Sequence, residues 1–181
     1  MARWQWPWRR IALPPALRAA LDPDEEVQVL AELTGGDSLA VSRFGLWLTS
    51  GEVAVRWNWE RVSKARLTDR TLTVIAAEEV GATAAGIAVL RDLPPRQFEL
   101  AASSSLTDAV HARVRRSVAA SRYLMWPGAA GWVVLRRVPG RDGLTRQIRL
   151  DPGADPDADG FLPLVVRTAA ELEADLLGVD L

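Results

Sequence analysis

The run from Leu39 to Ala77 constrains this chain most. It reads LAVS, RFG, LWLTS, GE, VAVRWNWERVSKARLT, DR, TLTVIAA. Apolar segments of strand length alternate with tight turns, the pattern of consecutive antiparallel hairpins. Arg43-Phe44-Gly45 reads as a three-residue loop with Gly45 in a left-handed conformation. Ser50-Gly51-Glu52 and Thr68-Asp69-Arg70 make the next two turns. Val53, Val55, Trp57 and Trp59 recur with period two, which places two valines and two indoles on one strand face.

Upstream, Val27, Val29, Ala31 and Leu33 alternate with other residues as a strand, and Gly35-Gly36-Asp37 turns the chain. Downstream, residues 86–90 and 97–101 flank Leu93-Pro94-Pro95, read as a rigid turn. The pattern then changes period. Leu106, Val110, Val114 and Val118 stand four apart, predicting an amphipathic helix over 106–124 that packs this stripe on the barrel opening. Ser105 is its expected N-cap. Residues 132–138 and 144–150 predict a further hairpin, and Phe161 to Leu177 a final helix. The expected fold class is therefore α+β: an antiparallel β-barrel capped by an amphipathic helix, with a C-terminal β-hairpin plus helix extension. Residues 1–21 are expected to be a Trp/Arg-rich arm, 22–126 the barrel with its helix, and 127–181 the extension packed on the barrel.

The chain has 181 residues and no cysteine, so disulfide scaffolds, thiol catalysis and cysteine zinc sites are excluded. That composition fits a reducing cytoplasm, the expected location. No apolar stretch reaches the ~18–20 residues that cross a bilayer as a helix, and no signal peptide is read at the N-terminus. The net charge of −1 points to no nucleic acid. Charge is nevertheless uneven: the first 21 residues hold Arg3, Arg9, Arg10 and Arg18 and no acid, while residues 151–181 hold eight acids against Arg167.

The segments DEEVQVLAE at 24–32, LAVSRFGLWLTSGE at 39–52, the W-x-W-E-R-V run at 57–62 and TLTVIA at 71–76 carry a family resemblance. About seven strands followed by one helix over residues 24–124 resembles the pleckstrin-homology-like (PH-like) fold, especially small bacterial PH-like proteins of unknown function. The resemblance implies a binding scaffold without naming a ligand. Phosphoinositide-binding members carry a basic first hairpin loop. Here that loop is Thr34-Gly35-Gly36-Asp37-Ser38, with no base and one acid.

Candidate chemistry is sparse. His111 is the one histidine, read as a rim residue beside the apolar stripe. The pairs Glu25-Glu26 and Glu78-Glu79 read as solvated, because neighbours on a strand face opposite ways. Gly81 and Gly86 have the glycine spacing of a phosphate loop, but Ile87 and Ala88 stand where the lysine and the hydroxyl residue belong. Asp155, Asp157 and Asp159 before Gly160 resemble the opening of a calcium loop. Val166 occupies the place of the bidentate carboxylate, so calcium is expected to bind weakly or not at all, with Asp159 capping the last helix. Nine arginines between Arg113 and Arg149 are read as a solvated or internally neutralised run.

The candidate binding residues are Trp4, Trp6, Trp8, Arg9 and Arg10. The three indoles either pack on the protein's own barrel, the favoured reading, or form a contact for a partner or a second copy. With no nucleophile–base pair and no metal set to assemble, the expectation is a non-catalytic adaptor or regulatory protein-interaction module without a cofactor. The alternative is a peripheral binder of anionic membrane through the arm.

Overall fold

A computed structural model describes residues 12–178. Two sheets and two cores organise it. β1 (Val27–Glu32), β2 (Ser38–Ser42), β3 (Gly45–Ser50) and β4 (Val53–Asn58) form an antiparallel meander in that order. Its inner face contributes Leu39, Val41 and Leu46 to the first core. Its outer face is buried too, because α1 (Pro15–Ala20) sets the fully buried Leu17 against Ala40 and Trp47. Every residue of β2 is consequently buried, and a two-sided strand reads as a continuous apolar run.

The 3₁₀ turn Trp59–Arg61 leads into β5 (Val62–Thr68) and then β6 (Thr71–Ala82). Trp59 lies in this turn with its indole donating to the Ser42 carbonyl at 3.1 Å, so the expected four-residue face ends at Trp57. Val53 and Val55 are exposed. Gly45 has no left-handed backbone. A β-carbon there would lie 2.4 Å from the Trp57 carbonyl oxygen, so close strand approach is what requires glycine.

Leu93-Pro94-Pro95 is not a hairpin turn. β7 (Ala88–Asp92) and β8 (Arg96–Glu99) run in one direction along the same partner, β6. Leu93 N still donates to the Ala76 carbonyl at 2.8 Å, and the prolines, which have no N–H to give, only interrupt the ladder. β8 then leads to the bridge Leu33–Leu100, which joins the first sheet's edge to the second sheet.

The predicted helix is shorter than its apolar spacing suggests. α2 spans Leu106–Ser117, and β9 (Val118–Trp126) begins where the stripe's last valine was expected. Leu106 and Val110 are buried in the first core and Val114 packs partly against it. Arg137 N donates to the Ser117 carbonyl at 2.7 Å, so sheet pairing takes over the helix end. Ser105 occupies the N-cap without a side-chain bond, and Ser104 Oγ accepts from Leu106 N instead.

β9, β10 (Ala129–Arg136) and β11 (Thr145–Leu150) are antiparallel, and β11 pairs in parallel with β7. The second sheet thus runs β5-β6-β7-β11-β10-β9, with β8 also on β6. α3 spans Phe161–Leu177 and buries Phe161, Val165 and Ala169 against Val133, Leu135 and Ile148 in the second core. The architecture is α+β and mainly antiparallel, as expected from the spacing.

Gly131 on β10 tests the packing. A β-carbon there would lie 2.2 Å from the Arg149 carbonyl oxygen across the ladder. Gly131→Ala is expected to cost on the order of 1–3 kcal/mol. Gly35→Ala, where nothing lies within 4 Å, should leave the chemical-denaturation midpoint close to wild type. Equal midpoints for both variants would contradict this packing.

Candidate functional site

The end of α2 and the chain leaving β10 meet at the Ser117–Arg137 backbone bond. Three segments therefore converge. The last turns of α2 present Arg113 and Arg116, the β2–β3 turn presents Arg43, and the chain after β10 presents Arg137, Val138 and Pro139. With Trp59 and Ser117 they line a cleft of about 190 Å³ that has no carboxylate in its wall among the described residues. Arg43 is paired with Asp24. Among the described residues, Arg113, Arg116 and Arg137 have no carboxylate within 4.0 Å. Partial burial, and then the charge of Arg116, pulls Arg113 below the ordinary arginine range. A neighbouring cleft of about 320 Å³ shares Val138 and Pro139 and is of mixed charge, with Asp22, Arg56, Glu60 and Arg141.

The Arg43 turn is rigidly held. Ser42 Oγ accepts from Phe44 N and Gly45 N, both at 3.1 Å, and donates to Glu25. Glu25 Oε1 also accepts from the Trp47 indole at 2.9 Å, and Oε2 from Arg56 Nη1 at 2.7 Å. Glu25 is therefore a buried hub rather than the solvated acid its position beside Glu26 suggests. Burial lowers the affinity of Arg56 for its proton, but the bonds and charges of Asp22 and Glu25 outweigh that and hold it above its ordinary value. Arg43 and Arg56 both lie over the Phe44 ring, at 4.3 and 5.6 Å from its centre.

Behind the cleft lies a buried cationic seam. Arg136 is 3% exposed and Arg149 9%. Arg136 Nη1 donates to Ser117 Oγ at 2.6 Å and to the Trp59 carbonyl at 3.4 Å. Arg149 Nη2 donates to the Glu60 carbonyl at 3.0 Å, and its Nη1 meets Asp92 at 3.3 Å. The second sheet's arginines thus satisfy carbonyls of the first sheet's 3₁₀ turn. Burial, reinforced by the charge of Arg149, pulls Arg136 down to about 10. The folded value lies below the ordinary arginine range, so the burial penalty is fully present at neutral pH and relaxes only above about pH 10.

Trp4, Trp6, Trp8, Arg9 and Arg10 lie outside the described residues. In the acidic loop, Asp155 Oδ1 accepts from Asp157 N at 2.9 Å and the Asp159 carbonyl accepts from the Trp126 indole at 2.8 Å. Asp159 does not cap α3: Gly160 is the N-cap, left-handed and under the Trp126 ring. No three acidic or histidine side chains cluster as a metal set among the described residues. His111 Nε2 lies 2.8 Å from the Ala65 carbonyl, occupying a free edge group of β5. Of the arginine run, Arg122 is neutralised by Glu171 and Asp175, and Arg146 by Glu173, all on α3. Internal neutralisation therefore describes Arg122 and Arg146 but not Arg113, Arg116 and Arg137. Periodicity on α2 points to the first two, but only the turn geometry brings Arg137 and Arg43 beside them.

No protein-family model, curated protein or solved structure matches the chain. No helix among the described residues is long and apolar enough to cross a membrane.

Two substitutions separate the polar networks. Glu25→Ala strips a buried carboxylate from Arg56, Trp47 and Ser42 and is expected to cost roughly 3–5 kcal/mol. Arg136→Met removes a buried guanidinium that has no carboxylate partner among the described residues and is expected to be neutral or stabilising by about 1–2 kcal/mol. Urea denaturation compares them directly. A loss for Arg136→Met as large as that for Glu25→Ala would show that its carbonyl contacts outweigh its desolvation.

Proposed function

We propose that this chain is a non-catalytic, PH-like protein-interaction module that receives a phosphorylated or acidic segment of a cytoplasmic protein partner in the arginine cleft. The carrying observation is that Arg43, Arg113, Arg116 and Arg137 line one concavity whose wall has no carboxylate among the described residues. Guanidinium groups bind phosphate and carboxylate bidentately, and charge-assisted bonds of this kind contribute roughly 1.5–3 kcal/mol each. The PH-like reading is supported by the order of elements: a four-stranded meander, then β5-β6-β8, then α2. The anion site in this reading sits at the β2–β3 turn and the end of α2, not at the acidic first hairpin loop.

A peptide is favoured over a membrane surface by the shape and lining of the site. Among the described residues, none of the large exposed apolar side chains, such as Tyr123, Met125 or Trp132, lines the cleft. A flat bilayer would find charge there but no described apolar side chain to insert. The adjoining mixed-charge cleft, by contrast, extends the groove past Pro139, as an extended segment needs.

Fluorescence anisotropy with a labelled acidic peptide, in phosphoserine and serine forms, tests the proposal on the full chain. The phosphorylated form is expected to bind more tightly. Binding should weaken as salt rises. The Arg113→Gln/Arg116→Gln double variant should lose affinity at least about tenfold. Absence of binding by either peptide, or unchanged affinity in the double variant, would reject the cleft. Sedimentation with phosphatidylserine vesicles without peptide binding would transfer support to the membrane alternative.

A further inference from the structure

The outermost strand of the second sheet, β9, pairs with β10 on one side and has no partner strand on the other among the described residues. Exposed strand edges are usually blunted by lysine, proline, a bulge or a covering element. β9 has a register shift only at its start, opposite Leu135 and Arg136. From Arg122 to Trp126 its pairing with β10 is regular and includes neither lysine nor proline. The one charged residue in that stretch, Arg122, is met by Glu171 and Asp175 of α3. Its charge therefore does not repel an incoming strand.

Leu124 points into the second core under α3, so its neighbours Tyr123 and Met125 face the other way. Met125 is 78% exposed and Tyr123 41%. Tyr123 stands opposite Trp132 of β10, with ring centres 5.2 Å apart, and its hydroxyl donates to Asp151 at 2.6 Å. The ring is thus held in place before any partner arrives, which lowers the entropy cost of docking. Apolar side chains exposed beside an unpaired edge mark a contact surface.

Charge at the two ends of β9 selects the occupant. The strand starts where α2 ends, beside Arg115, Arg116 and Arg137, which are exposed and have no carboxylate within 4.0 Å among the described residues. It finishes at Trp126, whose indole donates to the Asp159 carbonyl. There Asp155, Asp157 and Asp159 are exposed and have no basic side chain within 4.0 Å among the described residues. Laid antiparallel, two copies of β9 bring unlike ends together twice. Laid parallel, they bring like ends together twice. Antiparallel pairing of a strand with its own copy is also a two-fold arrangement, which closes at the dimer.

We infer that two copies of this chain dimerise by antiparallel pairing of their β9 edges, centred on Leu124. Leu124 is the middle of the regular stretch 122–126. That register sets Met125 of each copy opposite Tyr123 of the other, a favourable sulfur–aromatic pair. The two second sheets become one continuous sheet. The surface is separate from the arginine cleft, which neither Tyr123 nor Met125 lines.

Sedimentation equilibrium of the full chain between about 1 and 500 µM tests the inference. A monomer–dimer equilibrium with a dissociation constant below about 100 µM is expected, and it should weaken as salt rises. Met125→Lys alters an exposed side chain outside both cores and should raise that constant at least about tenfold. Asp157→Lys/Asp159→Lys should raise it as well. The chain has no cysteine, so Tyr123→Cys/Met125→Cys should give a disulfide-linked dimer on mild oxidation. Val53→Cys, exposed on β4, should not. A monomer at every concentration would overturn the inference and leave the edge to a strand of another protein. So would a dimer that Met125→Lys leaves intact, including one lost on deletion of residues 2–10, which would move the contact to the arm. Equal cross-linking by Val53→Cys would overturn it too.

Discussion

The two cores are joined by continuous pairing along β6. Its first residues, Leu72 and Val74, belong to the first core, paired with β5 on one side and β8 on the other. Its later residues pair with β7, whose Val89 belongs to the second core. Backbone hydrogen bonding is obligatory for buried strands, so neither half of this pairing can be withdrawn without orphaning polar groups of the other. Everything C-terminal to α2 is hung on β7: β11 pairs with β7, β10 with β11, β9 with β10, and α3 covers the face that results.

A sheet that serves two cores must bury something between them, and here the contact is polar. Arg136 and Arg149 reach from β10 and β11 to the carbonyls of Trp59 and Glu60. An apolar seam would be more stable, since desolvating a guanidinium is seldom fully repaid. The retained charge also lies behind the arginine cleft, because Ser117, which accepts from Arg136, is part of that cleft's wall. The arginine cleft thus draws on guanidinium groups placed where the described residues supply no lining acid. The acids of α3 neutralise Arg122 and Arg146 but none of the cleft residues.

Residue pattern located most elements because their periods are local. Hairpin spacing gave the strands between Leu39 and Ala77, and apolar residues recurring on one side, such as Val165, Ala169 and Leu172, gave α3 over Phe161–Leu177. The errors fall where tertiary pairing overrides a local signal. Val118 continues the α2 stripe at the right interval, yet it is claimed by β10 through the Arg136–Val118 pair. Pro94-Pro95 has turn composition, yet β6 holds the chain straight through it. Glu25 reads as a surface acid because its partners, Ser42, Trp47 and Arg56, are 17 to 31 positions away.

By itself the sequence determined the α+β class, the meander, the final helix and the exclusion of cysteine chemistry, since each follows from spacing or composition within a short window. Only the tertiary structure decided which arginines are neutralised and which face a cleft. Charge pairing depends on which strands and helices become neighbours, and Arg43, Arg113 and Arg137 are brought together from three segments that no local period connects.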